Sequence, residues 1–242
     1  MADKRYSDNI EVPDIRDRGM GPDRQPIFSD RRIFMQLQAF RDCELQEENL
    51  IAHLKEYKIQ GALLRNIADP SGYFLITYTE DPTYFIETVG PCLRELEQDG
   101  VELEPELSML GRSYSIGYEQ DLDETLIDRP VGRLLNPDLD WHVWYPVRRK
   151  GSFEDLELAE QRKILGEHGT IGRSYGAGGL AQDIRLDCHG LDTNDHDFLI
   201  ALLSDKLHPL SALVHRMRKT VQTKNYIAHM GPFLVGKKIW NS

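Results

Sequence analysis

The chain has 242 residues, 40% of them hydrophobic, and a formal net charge of −11. That length suits one large domain or two fused small ones, and the acidity excludes a general nucleic-acid binder, because phosphates would be repelled. No apolar run approaches the roughly 20 residues of a membrane span, residues 3–18 are too polar for a signal peptide, and three cysteines without a CxxC pair (Cys43, Cys92, Cys188) fit reduced thiols in a cytoplasm.

Residues 1–30 are polar and carry Pro13, Pro22 and Pro26, which predicts an extended arm. A buried strand is expected over 32–40. A helix over 45–57 places Leu50, Ile51 and Leu54 on one face. Strands follow over 61–67 and 73–78, separated by the turn Asp69-Pro70-Ser71-Gly72. A second helix over 82–96 is expected to kink near Gly90-Pro91, and 107–118 supplies a fourth strand. This order, βαββαβ, is the ferredoxin-like unit.

Residues 121–140 read as an acidic connector and the best domain boundary. The pattern then repeats: a strand over 141–147, a helix over 153–165, strands over 180–188 and 198–203 around an Asp-rich turn, and a helix over 207–217. That last helix spaces Leu207, Leu210, Leu213, Val214 and Met217 helically, and a closing strand covers 233–239. The fold class is α+β, with a duplicated ferredoxin-like unit in halves 31–120 and 141–242. Sheet packed on sheet explains why several strands are apolar on both faces. The first half reads as structural and the second as functional, because unusual chemistry concentrates after Arg133.

The stretch Gly166-Glu167-His168-Gly169-Thr170-Ile171-Gly172-Arg173 follows the third helix. Its glycines are expected to end that helix, leaving His168 at a frayed terminus. A neutral imidazole there can bind iron, and equally a basic side chain simply favours a helix C-terminus. The other second-half histidines, His142, His189, His196, His208, His215 and His229, show no HExxH spacing, so no zinc site is expected. Gly176, Gly178 and Gly179 precede a strand and lack the strand-then-helix context of a nucleotide loop.

Three runs occur in order: Trp144-Tyr145-Pro146, Glu167-His168-Gly169-Thr170-Ile171-Gly172-Arg173, and Met230-Gly231-Pro232-Phe233-Leu234-Val235-Gly236. Together they resemble the chlorite dismutase superfamily, and within it the coproheme decarboxylases, over about residues 133–239. The resemblance implies a dimeric α/β barrel within one chain and a haem cofactor, iron-coproporphyrin or protoheme, with His168 as axial ligand. It implies a redox-active Tyr145 beside a propionate. Arg149 stands where the family has a lysine, Val147 where it has a methionine. Arg149 keeps the charge but replaces a point ammonium by a planar fork. Arg133, Arg218 and Thr223 resemble propionate contacts, Thr223 standing in for a serine. For the distal position, counting back from Gly190-Leu191-Asp192 selects Asp183, and counting forward from His168 selects Ala181 with Gln182 beside it. Strand alternation puts Asp183 and Arg185 on one face and Gln182 on the other.

The implied activity is peroxide-dependent decarboxylation of two propionates of iron-coproporphyrin to give protoheme, in a cytoplasmic homo-oligomer, a pentamer by resemblance. The alternatives are chlorite decomposition, a weak haem peroxidase, and a non-catalytic haem-binding or regulatory protein.

Overall fold

The computed structural model describes residues 12–242. The chain is a ring of strands wrapped around an apolar interior, with helices outside. The elements in order are β1 (Asp17–Met20), β2 (Pro26–Ser29), β3 (Phe34–Arg41), α1 (Glu47–Glu56), β4 (Gly61–Asn66), β5 (Tyr73–Thr79), α2 (Gly90–Gln98), β6 (Glu102–Leu103) and β7 (Met109–Arg112). After a linking helix, α3 (Arg129–Leu135), come β8 (Trp141–Arg149), α4 (Leu158–Ala177), β9 (Gln182–Asp187), β10 (Phe198–Ser204), α5 (Leu207–Met217), β11 (Ile227–Met230) and β12 (Leu234–Asn241).

The first half pairs its strands β7-β3-β5-β4 and the second β12-β8-β10-β9, all antiparallel. Both sequences are fourth-first-third-second, so the two ferredoxin-like units expected from periodicity are present and equivalent. β4 joins β12, and β9 joins β7, which closes the ring. The two joints differ in extent. β4 and β12 pair from Gly236↔Asn66 to Asn241↔Ala62, whereas β7 and β9 share the single pair Arg112↔Asp187, reinforced by an Arg112–Asp187 ion pair at 2.8 Å. Glycine permits both approaches. A Cβ on Gly236 would lie 2.8 Å from the Arg65 carbonyl oxygen, and one on Gly111 would lie 2.7 Å from Leu186 Cβ.

Strand alternation sorts the side chains. Met35, Leu37, Ala62, Leu64, Phe74, Ile76, Trp144, Ile184, Leu186, Leu199 and Ala201 fill the interior of the ring. Outside the first half, α1 and α2 cover Phe40, Leu63 and Leu75 with Leu50, Leu54, Cys92 and Leu96. Outside the second half, α4 and α5 cover Val143, Tyr145, Val147 and Leu202.

Several expectations are corrected. The arm is not extended throughout: β1 and β2 form a hairpin that docks on the chain itself, with Met20 N–H donating to Glu119 O at 2.8 Å, while residues 1–11 lie outside the described residues. The fourth strand is short, because Glu119 curls the chain by accepting from the N–H groups of Ile116, Gly117 and Tyr118. The connector is not a bare link. It holds α3, whose Leu134 enters the ring interior with Ile127, Val131 and Leu135. Both α2 and α3 are preceded by a π turn, Phe85–Val89 and Glu124–Asp128, and both carry proline at their second residue, Pro91 and Pro130. Proline donates no N–H, so the bond preceding it slips to the longer i→i+5 step, Gly90 N–H to Phe85 O. β11 has no counterpart among the expected strands. No described helix is long and apolar enough to cross a membrane.

Candidate functional site

The expected helix break at His168 does not occur. α4 runs unbroken for 20 residues, begins five residues later than periodicity predicts, and ends where Gly178 caps it and Gly179 turns to φ 66°. Each internal glycine costs the helix up to about 1 kcal/mol against alanine. Docking compensates: Ile164 is buried, and Ile171 and Tyr175 pack on the Val143–Tyr145–Leu202 cluster. These residues lie at helical spacing with His168, so the imidazole sits in mid-helix and points toward the sheet rather than at a frayed end.

His168 Nδ1 is enclosed and has no hydrogen-bond partner. Burial lowers its pKa below the usual imidazole value, and the positive charge of Arg185 lowers it further, so the ring is neutral at pH 7. A buried nitrogen without a partner costs roughly 1–3 kcal/mol.

The wall opposite α4 is built from three strands in register. Tyr145 on β8 pairs with Ile200 on β10, which pairs with Arg185 on β9. In the next row toward Ala181, Asp183 pairs with Leu202. Directly paired residues share a face, so Tyr145, Arg185 and Asp183 stand on the His168 side. Gln182 pairs with Leu203 and shares the interior face with Ile184 and Leu186, away from His168. Ala181 is buried in the cluster beneath α4.

Tyr145 is almost fully buried, and its ring stacks on Phe233 at 4.7 Å between centroids. Burial, and then the charge of Asp183, push its phenol pKa up, so it stays protonated. Asp183 is held by two arginines: Arg133 Nη1 to Oδ1 and Arg185 Nε to Oδ2, each at 3.0 Å. Arg133 also donates to the Asp183 backbone carbonyl. Arg149 leaves the end of β8 with its guanidinium 4.5 Å from the Phe153 ring centroid and 5.0 Å from that of Phe198, and its Nε is enclosed without a partner. Arg218 lies 5.7 Å from the Phe233 ring centroid. Thr223 is turned toward Thr220, hydroxyl to hydroxyl at 3.2 Å, and no hydrogen bond joins it to the wall.

Sequence reasoning overlooked Tyr114 and Arg129. Tyr114 meets Phe198 at a tilt, 6.0 Å between ring centroids, and its pKa is raised first by burial. It lines a cleft with Arg129, Arg133, Asp183 and Arg185. Arg129 sits one helical turn before Arg133, a spacing that could have signalled a shared face.

The model of the family described as chlorite dismutase matches residues 101–239, more than half of the chain. The chain belongs to the chlorite dismutase family. A Natronomonas pharaonis protein named as heme-binding is 29% identical over 106 residues, 42% of this chain and 17% of that protein. The match thus spans about a sixth of that relative's length. A haem-binding protein of Thermus thermophilus superposes with a TM-score of 0.65 at 18% identity, covering 86% of this chain and 93% of its own. A mutant chlorite dismutase of Candidatus Nitrospira defluvii gives 0.67 at 13%, covering 87% and 92%. At these identities the structural likeness is one of fold.

Proposed function

We propose that the second half, 141–242, binds an iron porphyrin between α4 and the β8–β10–β9 wall, and that the reaction is oxidative decarboxylation of iron-coproporphyrin. The observation that carries the reading is His168: a neutral, half-buried imidazole whose enclosed Nδ1 has no partner, facing a wall of arginines and a buried phenol. Those groups fit an iron porphyrin with carboxylate side chains, since iron takes a neutral nitrogen donor and carboxylates take guanidinium. Bound there, the iron porphyrin supplies the oxidising centre and the propionates, each propionate losing carbon dioxide and two electrons as one peroxide becomes two waters.

The chain's own residues have distinct parts. His168 would hold the iron through a neutral ring nitrogen. Arg133, Arg149 and Arg218 are the propionate contacts, with Thr223 as a further hydroxyl donor. Tyr145 is held protonated and oxidisable in a fixed orientation by Phe233, so it can give up an electron and a proton near a propionate. By the same resemblance the protein is a cytoplasmic pentamer, which light scattering checks for size.

Absorption titration with coproheme, followed by mass spectrometry after peroxide, tests the reading. The expected result is tight binding and loss of two carboxyl groups in wild type. Tyr145→Phe should bind within about tenfold, the scale of one phenol hydrogen bond, and form almost no divinyl product. Coproheme binding without any decarboxylation would favour the non-catalytic haem-binding reading. The observation favouring chlorite decomposition is Arg185, which shares the wall with Tyr145. Asp183 pairs with it and offsets its charge, so the expected result on an oxygen electrode is little or no oxygen from chlorite.

A further inference from the structure

We propose that Asp183 is a built-in stand-in for a ligand carboxylate, and that a ligand carboxylate enters the site by taking its place between Arg133 and Arg185. The inference rests on the porphyrin reading of the site and names what governs which porphyrins it admits.

Three observations support it. Asp183 divides its carboxylate, one oxygen to Arg133 and one to Arg185, each at 3.0 Å. It is therefore a two-armed clamp of the kind guanidinium groups make with a ligand carboxylate. The two arginines come from different elements, α3 and β9, and this carboxylate ties their charges together, beside the bond from Arg133 to the Asp183 backbone carbonyl. And the pair borders open space: Asp183, Arg133 and Arg185 line the cleft with Ser113, Tyr114 and Arg129.

Arg133 is mostly enclosed, its side chain 27% exposed, and a guanidinium held there without a counter-charge is costly; Arg185, at 53%, is half in water, so Asp183 serves chiefly Arg133. A ligand carboxylate then exchanges with Asp183, carboxylate for carboxylate, and gains only the difference between the two. A ligand with no carboxylate at this corner cannot displace Asp183. A ligand with a carboxylate at this corner competes with Asp183 for the two arginines. The exchange therefore discriminates by whether a carboxylate reaches this corner.

The test uses the full-length protein and iron-free probes, so it does not depend on the iron ligand. Affinity for coproporphyrin III, which has four carboxylates, and for its tetramethyl ester is measured by fluorescence quenching. Affinity for glutarate is measured by calorimetry. Asp183→Asn should tighten coproporphyrin and glutarate about tenfold, the scale of one charge-assisted hydrogen bond gained, and leave the ester unchanged. Arg185→Gln should weaken both acids by a similar factor. The opposite signs are the signature of exchange.

If Asp183→Asn weakens the acids, or shifts acid and ester together, Asp183 is a scaffold for the arginines and the proposal fails. No change in any probe also overturns it. Circular dichroism reports folding, and if Asp183→Asn does not fold, Arg185→Gln decides alone: unaltered acid affinity rejects the exchange. Should no porphyrin bind while Asp183→Asn still tightens glutarate, the porphyrin reading is lost and the exchange stands. Porphyrin binding that ignores both substitutions keeps the porphyrin reading and rejects the exchange.

Discussion

The two halves share one strand order and differ in how their helices lie on it. In the first half α1 and α2 are seated directly on the sheet. Fourteen side chains are buried there among the described residues, including Leu50, Leu54, Leu63, Leu75 and Leu96. In the second half the corresponding cluster has seven, and α4 buries a single side chain, Ile164, along 20 residues. The sheet faces differ to match. β4 sets Leu63 under its helices, whereas β9 sets Asp183 and Arg185 under α4. Apolar side chains seat the helices of the first half, and charged ones stand on the strand face beside α4. The topology permits a site in either half, and these charges are why the proposed site lies in the second.

The largest expected effect tests the sealed half. Leu96→Ala should destabilise the protein by about 2–5 kcal/mol, as cavities in a tight core do. It should leave porphyrin affinity per folded molecule unchanged. Urea unfolding and an absorption titration read the two quantities, and a coupled loss of both would erase the distinction between the halves.

Next, His168→Ala should weaken iron-porphyrin binding by about a hundredfold or more, roughly 2.7 kcal/mol. It should not weaken the folded chain, because it removes a buried nitrogen that has no partner. A drop in the unfolding midpoint would make His168 an ordinary core residue.

Acid should act on the second half. His142 is completely buried, with Nε2 hydrogen-bonded to Leu139 O at 2.8 Å, and burial lowers its pKa from 6.5 to about 3. The unfolded chain therefore takes up a proton that the folded chain refuses. Its contribution to stability is fully present above pH 6.5 and falls by about 1.4 kcal/mol per pH unit below that, toward the folded pKa. His168 acts in the same direction. Denaturation midpoints between pH 7 and 4 should follow this slope, and His142→Asn should flatten it by about one proton.

The smallest effect concerns the Phe153–Arg149–Phe198 sandwich. Arg149→Lys gives up a planar cation between two rings and should cost about 0.5–1 kcal/mol. An unaltered unfolding midpoint would reduce the sandwich to coincidence.

The duplicated fold was legible because both halves repeat the same alternation of apolar strands and helices, and the 207–217 helix appears with the predicted bounds. What misled the reading was local. Gly166, Gly169 and Gly172 look like a helix end, yet tertiary packing of Ile164, Ile171 and Tyr175 carries α4 through them. The π turns before Pro91 and Pro130 have no periodic signature. At the site, motif runs pointed to His168 and Tyr145. Counting gives two answers for the distal position, Asp183 from one end and Ala181 with Gln182 beside it from the other. Cross-strand register turns Gln182 to the opposite face of β9 from Asp183. The Asp183 clamp joins residues 50 positions apart, and no local pattern announces it.

Gly111 and Gly236 are each the third residue of the last strand in their half, and each gives clearance at one of the two joints that close the ring. The joints differ in extent but share a topology, the last strand of one half against the second strand of the other. The same residue at the same place in both halves therefore closes the ring twice by one device. Closure is what the halves have in common, and the side chains beneath their helices are what sets them apart.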